Sequence, residues 1–362
     1  MSGQLRRNKT TALAAPTDCW YAPVRSAAVG RRLLALRALG RPVVLYRTGD
    51  GRAVALEDRC AHRAYPLSAG ALMDDAVRCG LCGFVYDADG QCVQVPTQSR
   101  VPFGAAVASY PTQERNGLVW VWFGEPGRAR LHRVPELPWL TNEGWATVCG
   151  QSELAAGYLL LHENFADVTQ VPFVAPEIAP VVLGAEQPPL DVVVTETTVT
   201  LHRSFPPAPL PPWQADLLGV DNEAQYTTAQ DGYFLSPAAW VDHWDVTPLD
   251  REASPSRTAR LRFTQLVTPV DSEHSRVLWA VSRDFAVDDR AAGITVTDVF
   301  EHYYRRVMSV MEVAQAALDL DGPGPEVNVS ADVAALKVRE IVSLMLAEQA
   351  PTAGKRSRRA TS

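Results

Sequence analysis

Cys60-Ala-His62-Arg and, after a gap of sixteen residues from His62, Cys79-Gly-Leu-Cys82-Gly-Phe decide how this chain is read. Each is a short clip offering two donor side chains. Together they present three thiols and one imidazole. Two tight loops, each giving two ligands and brought together at hairpin tips, are how a chain grips a cluster. Three cysteines and one histidine also suit zinc, and a third reading leaves the thiols free. Cys19, Cys92 and Cys149 stand singly and are read as small buried hydrophobes.

Short strands surround the clips. Val43-Val-Leu-Tyr46 and Ala53-Val-Ala-Leu56 flank the turn sequence Thr48-Gly-Asp-Gly51, and Val85 to Val93 forms another hairpin about Gly90. Leu118-Val-Trp-Val-Trp-Phe123 is a continuous apolar run suited to burial on both faces. These stretches predict a small all-β domain over 16–125, with the clips at its hairpin tips. Residues 126–140 bear Pro and Arg and read as a linker opening a second domain, 126–350. There Leu154 to Val168 is expected as a helix ending before Pro172, and Val192–Leu201 as one strand. Phe205 to Trp213, with its prolines, is expected as a loop outside any sheet. Two more strands, 260–267 and 276–282, precede a long helix over 296–320. A second helix over 332–349 would be apolar at Val333, Leu336, Ile341 and Leu344. Residues 1–15 and the basic tail 351–362 read as disordered.

The composition excludes several functions. With 34 basic and 41 acidic side chains the net charge is −7, which argues against nucleic acid as a partner. No window approaches the ~18–20 apolar residues of a membrane span, and the first residues lack the apolar core of a signal peptide. Six cysteines in 362 residues do not make a disulfide scaffold. The expected location is the cytoplasm.

Cys60-Ala-His-Arg-Ala-Tyr-Pro-Leu-Ser-Ala-Gly70 and Cys79-Gly-Leu-Cys-Gly-Phe-Val-Tyr-Asp-Ala-Asp-Gly-Gln-Cys-Val-Gln-Val-Pro96 resemble the Rieske [2Fe–2S] signature, Cys-x-His then Cys-x-x-His. The resemblance extends from Asp18 to about Gln349 and is to the Rieske non-haem iron oxygenases, in particular the vanillate-demethylase-like branch. It implies an α+β chain: an N-terminal all-β Rieske-type domain, then a helix-grip-like antiparallel sheet with long helices. It also implies a homotrimer. Cys60, His62, Cys79 and Cys82 would hold the [2Fe–2S] cluster. Cys82 stands where the family has histidine, and a thiolate there adds negative charge to the outer iron and lowers the potential.

A second departure lies downstream. The family's Asn-x-x-Asp-x-x-His-x-Pro-Phe-Val-His is matched by Asn164-Phe-Ala-Asp167-Val-Thr-Gln170-Val-Pro-Phe-Val-Ala175. Gln170 and Ala175 replace the two histidines of the iron-binding facial triad. The third ligand position, placed relative to Glu312 and Gln315, is Val307. No mononuclear iron is expected. The resemblance leaves a large apolar cavity lined by Asn164, Asp167, Gln170, Phe173, His302, Tyr303 and Arg306. In it Asp167 is the candidate acid or base, Gln170 the candidate hydrogen-bond donor to a carbonyl and Asn164 a third catalytic candidate. The bland readings are that Asp167 caps or bonds across an interface and Gln170 fills space. Three functions follow: a non-oxygenative enzyme (cyclase, pericyclase or isomerase) acting on a hydrophobic small molecule in secondary metabolism; a non-catalytic or electron-passing partner of an intact Rieske oxygenase; or an O2-dependent monooxygenase with a non-standard iron site.

Overall fold

The structure is a computed structural model describing residues 15–184, 187–250, 258–322 and 324–349. The expected disordered ends lie outside the described residues, except Ala15, which is buried in the core.

The first part is built from short antiparallel strands: β1 (Trp20–Arg25), β2 (Leu34–Ala38), β3 (Arg41–Arg47), β4 (Ala53–Glu57), β5 (Ala71–Met73), β6 (Ala76–Arg78), β7 (Val85–Tyr86), β8 (Cys92–Gln94), β9 (Ser109–Tyr110), β10 (Thr112–Arg115) and β11 (Leu118–Trp122). They form three small sheets, β1-β11-β10, β2-β3-β4-β9 and β5-β6-β7-β8. Every residue of β11 is buried, as its unbroken apolar run demands. The β5–β8 sheet carries the second clip in the β6–β7 connection. The first clip follows β4.

The second part is a seven-stranded antiparallel sheet in the order β12-β18-β17-β16-β15-β14-β13. Its strands are β12 (Ala146–Leu154), β13 (Asp191–Val194), β14 (Val199–Pro209), β15 (Gln225–Ser236), β16 (Ala239–Pro248), β17 (Ala259–Pro269) and β18 (Ser275–Arg283). Between them lie α1 (Tyr158–Ala166), α2 (Val171–Val174) and α3 (Pro212–Leu218). After them come α4 (Arg290–Asp321) and α5 (Val333–Gln349). Asp289 caps α4, its side chain accepting from the amides of Ala291 and Ala292. Val296, Phe300, Tyr304, Val307 and Met311 recur at helical spacing along α4 and are buried in the same core as the sheet.

Several expectations are corrected. Leu154 ends strand β12 rather than starting a helix; α1 begins after Gly157, which sits in extended conformation as its N-cap. α1 ends at Ala166, before Pro172 as expected, and Pro172 itself lies in the first turn of α2, where its missing N–H costs nothing. The stretch 192–201 is a hairpin, β13 and β14, with Val194 opposite Val199. The Pro-rich stretch from Phe205 enters the sheet after all. Pro206 and Pro207 fall where the β14–β15 register shifts, beyond the end of β13, so β14 is an edge there and no ladder donor is lost. In α5 the buried face is Ala334, Ala335, Val338, Ile341 and Val342, while Val333 and Leu344 are exposed. Cys149, on the edge strand β12, is exposed rather than buried.

Candidate functional site

The clips converge. Cys60 and Cys79 are buried, Cys82 is half-buried, and their three sulfurs lie within 4.8 Å of one another. Each loop is closed by its own backbone: Cys60 N–H donates to the Tyr65 carbonyl at 2.8 Å and Cys79 N–H to that of Phe84 at 2.8 Å. Tyr86, on β7 under the clips, accepts from the Ala61 amide at 3.1 Å and meets Cys60 Sγ at 3.2 Å. Burial raises the Cys60 thiol, but hydrogen bonds from Tyr86 and the His62 amide outweigh it and hold the group below the ordinary thiol value. Burial pushes Cys82 up to about 11. His62 does not join the sulfurs: its exposed ring stacks on Phe84, 5.0 Å between centroids and 7° between planes. Among the described residues, these three cysteines are the one group of at least three His, Cys, Asp or Glu close enough to share a metal. Tyr86 escaped notice in the sequence because its hydroxyl acts across the hairpin rather than along it.

The second site is a partly open cavity between the inner face of the seven-stranded sheet, α1, α2, α3 and α4. Asn164, Asp167, Gln170 and Tyr303 line it as expected. Phe173 does not; it is 87% exposed. His302 and Arg306 are exposed on α4, where Arg306 pairs with Glu177 at 3.1 Å and bonds the Val174 carbonyl, pinning α2 to α4. Asp167 accepts from the backbone N–H and the hydroxyl of Thr169, both at 2.8 Å, which fixes the turn between α1 and α2. Gln170 Oε1 and Asn164 Oδ1 are buried without a partner.

Ala175 and Val307 are packed in the core at 0% and 1% exposure and do not line the cavity. The three positions expected from the sequence resemblance to match the family's iron ligands therefore offer one amide and two hydrocarbons. This donor set does not fit iron. Glu312 and Gln315, the markers used to find Val307, have a different role. They accept from the Ala155 and Gly157 amides at 3.0 and 2.9 Å, clamping the turn from β12 into α1 onto α4.

Asp242 is the site residue that sequence reasoning passed over. It lies on β16, is 4% exposed and lines the cavity. Trp240 Nε1 donates to it at 2.7 Å and Gln230 Nε2 at 3.3 Å. Among the described residues no cation pairs with it, and burial pushes its carboxyl up to about 7 against those two hydrogen bonds. The signal was present: alternation along β16 puts Asp242 on one face with Trp240, Trp244 and Val246, an acid in an apolar row. Burial likewise pushes the Tyr303 phenol up to about 12, with the Gln170 side chain acting in the opposite direction.

Two family models match the chain: a Rieske [2Fe-2S] domain over residues 19–111, and the vanillate O-demethylase oxygenase C-terminal domain over 154–348. The chain belongs to the Rieske oxygenase α-subunit family that combines these two domains. Two iron-sulfur subunits of toluene-4-sulfonate monooxygenase systems from Comamonas testosteroni are 30% and 28% identical, each over 93% of this chain and 99% of its own length. A vanillate O-demethylase oxygenase subunit from Pseudomonas sp. (strain ATCC 19151) is 27% identical over 86% of this chain and 96% of its own. The crystal structure of dicamba monooxygenase bound to 3,6 dichlorosalicylic acid superposes with a TM-score of 0.82 at 26% identity, covering 92% of this chain and 99% of that one. Among the described residues no helix is long and apolar enough to cross a membrane.

Proposed function

We propose that this chain keeps the oxygenase architecture and uses its cavity for a non-oxygenative step, a cyclisation, pericyclic reaction or isomerisation, on a hydrophobic small molecule of secondary metabolism. The observation that carries this reading is the donor set at Gln170, Ala175 and Val307, which leaves a cavity with polar groups but no iron ligands at the positions the resemblance assigns to them. Such a cavity can fold a flexible substrate into a reactive conformer. Asp242 replaces Asp167 as the principal acid or base, because it is buried and poised near neutrality whereas Asp167 is committed to Thr169. Gln170 offers an amide and Asn164 a further polar contact to a polarised substrate oxygen.

Three converging thiols fit a [2Fe–2S] cluster and would supply three ligands, while His62, two residues from Cys60, would have to leave its stack on Phe84 to supply the fourth. Such a cluster supplies one-electron transfer when bound. The retained clips favour a second reading, an electron-passing partner of an intact oxygenase, and the toluene-4-sulfonate relatives are named as subunits of multicomponent systems. A homotrimeric assembly in the cytoplasm belongs to the first reading and is checked by sedimentation.

The deciding experiment is iron and sulfide analysis of anaerobically purified protein, with EPR after dithionite. About two irons and two sulfides per chain is the expected result. A further iron per chain would revive the O2-dependent monooxygenase. Turnover of substrate without O2 or reductant separates the enzyme from the partner subunit.

A further inference from the structure

The polar lining of the cavity has a definite sign. Among the described residues lining it there is no Lys, Arg or His. Asp242 is the buried acid, and no cation among them neutralises it. Around it stand unpaired acceptors. Gln265, 5% exposed, donates from Nε2 to the Tyr304 hydroxyl at 3.0 Å and leaves Oε1 without a partner. Asn164 Oδ1 and Gln170 Oε1 are unpaired too, while Gln214 Nε2 is the unpaired donor of the lining. An amide can turn its other end inward. A carboxyl cannot stand in for a cation.

The sheet itself holds the acid in place. Asp242 lies opposite Phe263 on β17 and opposite Gly232 on β15. Gly232 leaves room for the Trp240 indole that bonds Asp242: a Cβ at that glycine would stand 2.9 Å from Trp240 Cζ2 and 2.8 Å from Leu201 Cγ. Gln265 sits two residues from Phe263 on the same face of β17. Asp242 and Gln265 are thus diagonal neighbours on the cavity floor, within ~7–8 Å as diagonal cross-strand pairs are. Aromatic rings of Trp213, Trp244, Phe263 and Phe300 line the same space.

We propose that the cavity takes a ring-bearing molecule with a hydrogen-bond-donating nitrogen, an amine or N–H heterocycle, held by Asp242 and Gln265, and rejects carboxylates and sulfonates. This deepens the function proposed above and rests on the same cavity. An N–H group satisfies acceptors that are otherwise buried unpaired. An acid group would face a carboxyl and orphan acceptors with no cation to pair with, which a buried charge does not tolerate.

The test is direct binding, followed by tryptophan fluorescence and calorimetry, of three matched probes: naphthylmethylamine, naphthylmethanol and naphthoate. The amine should bind at least about tenfold more tightly than naphthoate, a difference of ~1.4 kcal/mol. Asp242→Asn should shrink the amine-to-naphthoate ratio about tenfold while the alcohol stays within about threefold. Should that variant fail to melt as a folded protein, Gln265→Leu supplies the test: amine and alcohol weaken together and naphthoate stays poor. Naphthoate binding as tightly as the amine, an unchanged ratio in Asp242→Asn, or no binding of any probe overturns the proposal. These readouts need no turnover. A further iron per chain would sink the non-oxygenative reading and leave the binding order standing, and the reverse also holds.

Discussion

Asp242 concentrates the chemistry that separates this chain from its sequence pattern. Burial pushes its folded carboxyl up to about 7 from an ordinary value of 3.8. A raised acid binds its proton more tightly when folded, so its contribution to stability is complete below about pH 4. It is lost as pH rises through about 7. The loss is on the order of 4 kcal/mol. His162 works in the opposite sense: burial lowers it from 6.5 to about 4, so its contribution is present above about pH 6.5 and lost as pH falls through 4. The two groups oppose each other in the parent, so urea midpoints from pH 4 to 8 should rise more steeply toward neutral pH in Asp242→Asn than in the parent. A parallel profile in both proteins would refute the buried-acid assignment. Tyr86 is a second residue-scale test. Tyr86→Phe leaves the Ala61 amide and Cys60 without their shared partner and should cost about 1–3 kcal/mol in the metal-free protein. An unchanged urea midpoint would show that these contacts contribute nothing.

Among the elements, the junction between β12, β18 and α4 governs the cavity from a distance. Gly150 lies opposite Trp279, and a Cβ there would run into the indole ring. Trp279 stacks on Tyr304, 4.6 Å between centroids, and Tyr304 accepts from Gln265 in the cavity lining. Gly150→Ala is expected to destabilise by about 1–3 kcal/mol and to weaken probe binding through Gln265. Loss of stability with unaltered binding would show that the displacement stops at Trp279. At the other end of the same junction, Glu312→Ala and Gln315→Ala each free one backbone amide at the entry to α1. Each should cost about 1 kcal/mol by thermal denaturation, and a change within error would remove the clamp from the account.

The whole molecule is tied across the boundary suggested near residue 126. Trp20, Trp120 and Trp122 of the Rieske part share one core with Val241, Leu266 and Leu278 of the large sheet. The tip of the β2–β3 hairpin adds main-chain bonds: Leu39 N–H to the Pro269 carbonyl at 2.7 Å and Gly40 N–H to that of Val270 at 2.8 Å. Leu266→Ala should cost about 2–5 kcal/mol and shift one common transition seen by far-UV CD and by tryptophan fluorescence. Two separated transitions in the parent would show that the parts unfold independently.

The clips, β11 and the α4 stripe were legible because each is a local statement: donor spacing, an unbroken apolar run, a helical period. The losses at Gln170 and Ala175 were legible for the same reason, since they sit inside one short motif. The Pro206–Pro207 pair was misread because a proline's meaning depends on whether its missing N–H faces a ladder or a strand's unpaired edge, and that is set by neighbours far along the chain. The sequence alone thus determined the family architecture and the three clip cysteines that converge, both of which are carried by residue type and spacing. Only the tertiary structure decided that His62 stacks on Phe84, that Phe173, His302 and Arg306 stand outside the cavity, and that Asp242 is a buried acid within it. The reason is physical: burial and unmet hydrogen bonds are properties of a site assembled from five elements, and no single stretch of the chain contains them.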